Sequence, residues 1–339
     1  MELAKRIFFA LFGRGRLYRI LRRLLYGISF DERGEFMVVK QRGRADSVRL
    51  KVEQDFALKL PLGFRAEFEP VRIAAVVHIF YVELAGGMKK LLLNIPARFD
   101  VYISTTDAAK KSELEKIFAD FDRGAVTVKV FENRGRDIAP LLVGFREIYG
   151  GYDLCVHIHS KKSPHARDLL ADWGEYLYGS LLGSPEIVTG ILKIFAREDV
   201  GVVFPQYFSG IRPAVHWGEN FEQARGFLAR IGISLDARQL LEFPAGSMFW
   251  FKPQALKKIF DSGLAFEDFP AESAQTDGTL AHALERIFLH VAADAGFRYV
   301  KVTADADKID GAPVLISDGE ENLSVNIEKV SRGIWTRCD

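Results

Sequence analysis

Hydrophobic positions change their period along this chain. Over residues 1–28 they recur at helical spacing, with Ile7, Phe8 and Leu11 followed by Leu17, Ile20, Leu21, Leu24 and Leu25. That spacing predicts an amphipathic helix. Residues 29–70 carry short runs such as "GEFMVVKQRG" and "SVRLKVEQDFALKL", which predict a β-rich connector. From 71 to 302 the pattern becomes regular. "RIAAVVHIF" (72–80), "FDVYIST" (99–105), "AVTVKVF" (125–131), "YDLCVHIH" (152–159) and "DVGVVFP" (199–205) are short apolar runs. Such runs mark strands buried on both faces.

Amphipathic stretches alternate with these runs: "ELAGGMKKLLLNI", "DAAKKSELEKIFADF", "DIAPLLVGFREIYG" and "SPEIVTGILKIFARE". In the last of these Ser184 is the N-cap and Pro185 takes the first helical position. "PAGSMFWFKPQALKKIF" reads as a strand running into a helix. "TDGTLAHALERIFLHVAADAG" (276–296) reads as a long helix with Leu280, Leu284, Ile287, Phe288 and Val291 on one face and Gly296 as its stop. "FRYVKV" returns as a strand, and 303–339 reads as a mixed tail. Strand–helix alternation at this spacing predicts an α/β fold: a three-layer sandwich with a mostly parallel central sheet, carrying the N-terminal amphipathic helix.

Charge changes the picture at the N-terminus. Lys5, Arg6, Arg14, Arg16, Arg19, Arg22 and Arg23 face one acid, Glu2. A basic amphipathic helix of this kind either lies on an anionic membrane surface or docks on the body with its basic face in water. Arginines interrupt the apolar residues, so the segment is not a signal peptide. No stretch reaches the ~18 apolar residues of a membrane span. A net charge of +1 excludes a generally basic nucleic-acid binder. Two cysteines, Cys155 and Cys338, are too few for a disulfide framework, which leaves the cytoplasm as the default compartment.

In open α/β sheets ligands bind beyond the carboxyl ends of the strands. The first strand exits into "HIFYVEL", the third into "ENRGRD" and the fourth into "HSKKS", which predicts all three exits along that one edge. "ENRGRDIAP" (132–140) offers Asn133, Arg134, Gly135, Arg136 and Asp137. Two guanidiniums beside a helix start suit a phosphate, unless Arg136 and Asp137 only brace the turn. Its glycine spacing fits neither a Walker loop nor a dinucleotide fingerprint. "HIHSKKS" places His157 and His159 on one face of the fourth strand, ahead of Lys161 and Lys162. The histidines can bind a phosphate or sugar, ligate a metal with a third ligand such as His78, or simply pack in the core. Gly246 and Ser247 in "FPAGSMFWF" either admit a ligand to the backbone or form a tight turn. Asp277 and Glu272 in "AESAQTDGT" precede the long helix, where a carboxylate caps the helix or serves as a base. Glu285 and Arg286 follow one another on that helix and need not pair.

"ENRGRDIAPLL", "HIHSKKS", "FPAGSMFWFKPQAL" and "DGTLAHALERIF", in this order, resemble the rhamnan synthesis F family over roughly 72–300. The resemblance implies a nucleotide-sugar-dependent glycosyltransferase of GT-A-like architecture, acting in cell-surface polysaccharide or lipopolysaccharide synthesis, with rhamnose or a related sugar as the donor sugar. GT-A enzymes usually hold a divalent cation, Mg or Mn, with a D-x-D at a strand exit; here that place reads His157-Ile158-His159. Lys161, Lys162 and Arg134 or Arg136 would then neutralise the diphosphate in place of a metal. The implied base is Asp277, with Glu272 second, in a direct inverting displacement. The N-terminal helix would hold the enzyme at the inner face of the cytoplasmic membrane, where polyprenyl-linked glycan acceptors reside. A metal-dependent hydrolase of glycans or phosphoesters and a non-catalytic glycan assembly subunit are the alternatives.

Overall fold

A computed structural model describes residues 28–30, 36–40, 45–161, 172–273, 275 and 277–331. The basic N-terminal segment up to residue 27, Lys162 and Thr276 lie outside them. Among the described residues the main sheet has nine strands: β4 (Ala57–Lys59), β5 (Ile73–His78), β6 (Phe99–Thr105), β7 (Val126–Val130), β8 (Leu154–His159), β9 (Val200–Pro205), β10 (Phe249–Phe251), β11 (Arg298–Thr303) and β12 (Val314–Leu315). Their order is β12–β4–β11–β9–β10–β8–β5–β6–β7. β10 runs antiparallel to both neighbours, β8 and β9; every other pairing is parallel. Three further strands, β1 (Ile28–Phe30), β2 (Phe36–Val39) and β3 (Ser47–Leu50), form a separate antiparallel sheet.

β5, β8 and β9 are buried at every position because both faces of the sheet are covered. Ile73, Ala75 and Val77 of β5 point into one core and Ala74 and Val76 into the other. The first core receives α1 (Ala85–Leu92), α3 (Trp173–Leu182), α4 (Pro185–Phe195) and α7 (Glu320–Val330). α2 (Ala108–Ile117) adds Leu114 to it. The second receives α5 (Phe221–Arg230) and α6 (Leu280–Asp294). Local chemistry sets the helix ends. Ser184 accepts from the Ile187 amide at 3.3 Å with Pro185 at the first position, and Gly296, at φ 84°, ends α6.

Two expectations change. The stretch 137–150 is not a regular α-helix: a π-helical turn over Pro140–Gly144 runs into a 3-10 segment over Arg146–Gly151. Pro140 has no amide hydrogen to continue an α-helix, and Phe145 donates to its carbonyl across the wider turn, at 3.1 Å. The connector and the tail are not separate from the sheet either. β4 of the 29–70 stretch lies between β11 and β12, and β12 comes from the 303–339 stretch.

β5, β6 and β7 step outward in order, and the chain then returns to lay β8 on the other side of β5. That reversal is a topological switch point, where the crossovers leave a crevice at the carboxyl edge. His78 of β5 and His159 of β8 sit side by side at that edge.

Candidate functional site at the switch point

A cleft of about 690 Å³ opens beyond the ends of β5 and β8. Its floor holds His78, Asp137 and His159, and Arg136, Lys161, Glu272, His282, Glu285 and Arg286 line its sides. Phe80, Tyr81, Trp173 and Phe243 add aromatic surface.

Asp137 is the buried charge at the centre. His157 Nε2 lies 3.2 Å from its carboxylate, and Nδ1 lies 3.1 Å from the Val76 carbonyl. Burial alone would raise the Asp137 carboxyl, but His159, His157 and His78 hold it well below the ordinary range. Burial acts on the floor histidines with the opposite sign, because their charged form is the cation. Burial pushes His78 down to about 4, and burial likewise lowers His159. His78 Nδ1 lies 2.9 Å from the Ser104 hydroxyl, and His159 donates from Nε2 to the Gly246 carbonyl at 2.8 Å. Ser160 joins the two strand exits by accepting from the amides of Phe80 and Tyr81 at 2.9 and 3.0 Å.

Two turns border the cleft, and each holds two successive residues in the left-handed region: Gly135 and Arg136 at φ 63° and 53°, Gly246 and Ser247 at φ 91° and 56°. A side chain at Gly135 would come within 2.4 Å of the Phe269 ring. Arg136 and Ser247 carry the strain that glycine avoids, and neighbours hold both in place. Arg136 donates to Glu272 at 3.3 Å and to the Gln275 carbonyl, and lies 3.1 Å from His282 Nε2. Glu285 accepts from the Gly246 amide at 2.9 Å and the Ser247 hydroxyl at 3.0 Å through one oxygen. The Lys161 ammonium stands 3.9 Å over the Trp173 ring, and burial lowers its pKa.

The residues singled out in the sequence therefore separate. Asn133, Arg136, Asp137, His159, Lys161, Gly246, Ser247 and Glu272 line the cleft, and His157 supports Asp137 from beneath. Arg134 turns away: its guanidinium meets Glu132 at 2.8 Å and the Phe269 carbonyl at 2.9 Å, bracing the loop that Gly135 allows to turn. Asp277 is not in the lining. One of its oxygens accepts from Asn220 at 2.6 Å and the other from the Glu219 amide at 3.2 Å, with Arg286 3.6 Å away. Burial opposes its charge, but Asn220 and Arg286 hold its pKa below the ordinary value.

The donor set does not fit a divalent cation. His157 spends both nitrogens, and His159 its Nε2, on protein acceptors. Among the described residues no three His, Cys, Asp or Glu side chains come together to hold one.

Sequence reasoning set Glu285 and Arg286 aside and passed over His282. The signal was present: 282, 285 and 286 are spaced i, i+3, i+4, so they share one face of α6 beside its apolar stripe. Trp173 had no comparable signal, because its place depends on how the chain returns to the sheet.

The family model described as rhamnan synthesis protein F matches residues 46–297. Two curated relatives, each named "Uncharacterized protein WxcX" and from two strains of Xanthomonas campestris pv. campestris, are 33% identical over 232 residues. The match covers 67% of this chain and 32% of each relative, so the chain spans about a third of their length.

Proposed function

Because the chain belongs to the rhamnan synthesis protein F family, we propose that it is a glycosyltransferase of cell-surface polysaccharide synthesis, with the switch-point cleft as its donor site. The donor is a nucleotide-diphosphate sugar, of rhamnose or a related sugar, and the fold is of the GT-A kind. One observation carries the reading: Arg136 and Lys161 converge on the rim of a crevice at the carboxyl edge of a mostly parallel sheet, with aromatic faces beside them.

The chemistry follows from what these residues can do. Arg136 and Lys161 face the leaving diphosphate and offset its growing charge, the task for which charged donors in a shielded site are effective. Gly246 leaves the backbone bare where the sugar passes, and Trp173 and Phe243 offer flat apolar surface to its ring. In a direct displacement the acceptor hydroxyl attacks the anomeric carbon, the bond to the diphosphate breaks, and a base takes the hydroxyl proton. Of the two carboxylates proposed from the sequence, Glu272 borders the cleft, which favours it for that role. Asp277 spends both oxygens on Asn220 and Glu219, and would act by holding the start of α6 and Arg286. The acceptor is a polyprenyl-linked glycan at the inner membrane face, reached through the basic N-terminal segment.

Thermal shift with a panel of nucleotide-diphosphate sugars, each with manganese and with chelator, tests the reading. A donor at ~100 times its dissociation constant stabilises the fold by ~2.7 kcal/mol. Stabilisation in chelator supports the cationic rim. A panel that leaves the melting curve unmoved in every condition rejects the donor site.

A further inference from the structure

The opposite edge of the sheet carries a second pocket, of about 610 Å³. It arises from a repeated feature of the sequence. Arg72 immediately precedes β5, Arg98 immediately precedes β6, and Arg123 stands three residues before β7. These three strands are adjacent and parallel, so their entry arginines stand side by side at the amino edge.

The hydrogen bonds of the pocket floor have a definite direction. Asp100 accepts from the Ala125 amide at 2.7 Å and from the Tyr152 hydroxyl at 2.6 Å. A carboxylate can only accept, so the Tyr152 proton is committed to it. Burial first, then Asp100 and Tyr102, push the Tyr152 phenol far above its ordinary pKa, and it keeps that proton. Tyr102 lies 2.7 Å from Tyr152 and must therefore donate to it. Both phenol oxygens then offer lone pairs only.

The rim is the converse, because guanidiniums offer donors only. Asp153 already holds Arg72 through contacts of 2.6 and 3.1 Å. Arg98 is exposed, and Arg123 lies 3.9 Å from its neighbour Asp122, too far for a hydrogen bond. Ile148 supplies apolar surface between floor and rim. A fitting ligand needs hydroxyl donors at one end, an anion at the other and C–H surface between.

We propose that this amino-edge pocket binds a sugar bearing an anionic group, a phosphate or a carboxylate, with its hydroxyls donating to Tyr102 and Tyr152 and its anion held by Arg98 and Arg123. The site is separate from the cleft, and the inference stands whether or not the cleft transfers a sugar.

Isothermal titration calorimetry on the full chain tests it with glucose 1-phosphate, glucuronic acid, glucose and inorganic phosphate. Both anionic sugars are expected to bind at least tenfold tighter than glucose. The tighter of the two identifies phosphate or carboxylate as the preferred anion. R98A/R123A should weaken both at least tenfold, and Y102F should weaken both several-fold. The proposal is overturned if neither anionic sugar binds, if R98A/R123A binds them as wild type does, or if inorganic phosphate binds as tightly as glucose 1-phosphate.

Discussion

Two charged clusters in this molecule have similar members and opposite surroundings. Beneath β4 and β11, Lys301 contacts both Asp55 and Glu242, Arg212 donates to Asp55 at 2.6 Å, and Tyr299 donates to Glu242. Lys301 is 1% exposed, and the space beside the cluster amounts to about 10 Å³. In the cleft Arg136 is 41% exposed, and Glu285 and Glu272 border about 690 Å³ of open space. The closed cluster spends its charges on one another and fastens β4, the 206–215 loop and residue 242 to β11. The open cluster leaves room for a charge that is not part of the protein. Space beside a charged group, more than its burial, separates a fastener from a site.

The sharpest test of that difference is Lys301→Met. It strands two buried carboxylates, and breaking a buried network from one side costs about 3–5 kcal/mol. Lys161→Met in the cleft removes a cation over a ring and should cost about 1 kcal/mol. Urea unfolding measures both. Equal losses would mean that the cleft lysine is a fastener too.

A smaller effect follows from the buried histidines. His78, on the cleft floor, and His290, in the second core, are both pushed down to about 4 by burial. Between pH 6.5 and 4 the unfolded chain takes up protons that these folded histidines refuse. Stability should therefore fall as pH falls through that window, by up to about 1.4 kcal/mol per pH unit for each histidine. Asp137 adds a loss of the same sign at lower pH, because its folded pKa is depressed. His290→Leu should flatten the slope by one histidine's share, read from urea midpoints at pH 4.5, 5.5 and 6.5. An unchanged slope would remove His290 from this account.

These charges also mark how far the sequence reaches. Apolar runs such as 72–80 and 152–159 are legible because strands buried on both faces need no alternation. The same runs place His78 and His159 at strand exits. The fastener is not legible: Asp55, Arg212, Glu242 and Lys301 are scattered through the chain, and only the insertion of β4 beside β11 brings them together. β10 is a short strand whose antiparallel direction depends on how the chain crosses the sheet. Asp277 shows the limit within the site. Its position before α6 is visible in the sequence, but the Asn220 side chain that occupies it comes from a distant segment.

The finest test compares the left-handed turns. Asp310 and Gly311, at φ 54° and 72°, repeat away from the cleft the backbone of Gly246 and Ser247. A non-glycine residue in this region costs about 1–2 kcal/mol, and the extra freedom of an unfolded glycine returns about 0.5–1 of it. Asp310→Gly should thus stabilise the fold by roughly 0.5 kcal/mol. Ser247→Gly relieves the same strain but deletes the hydroxyl that donates to Glu285 at 3.0 Å. A hydrogen bond to a charged group contributes about 1.5–3 kcal/mol, so this substitution should be net destabilising by about 1 kcal/mol. Thermal melts of the two variants read the difference directly. If Ser247→Gly stabilises as much as Asp310→Gly, Glu285 does not hold the cleft turn, and the strain at Ser247 needs another cause.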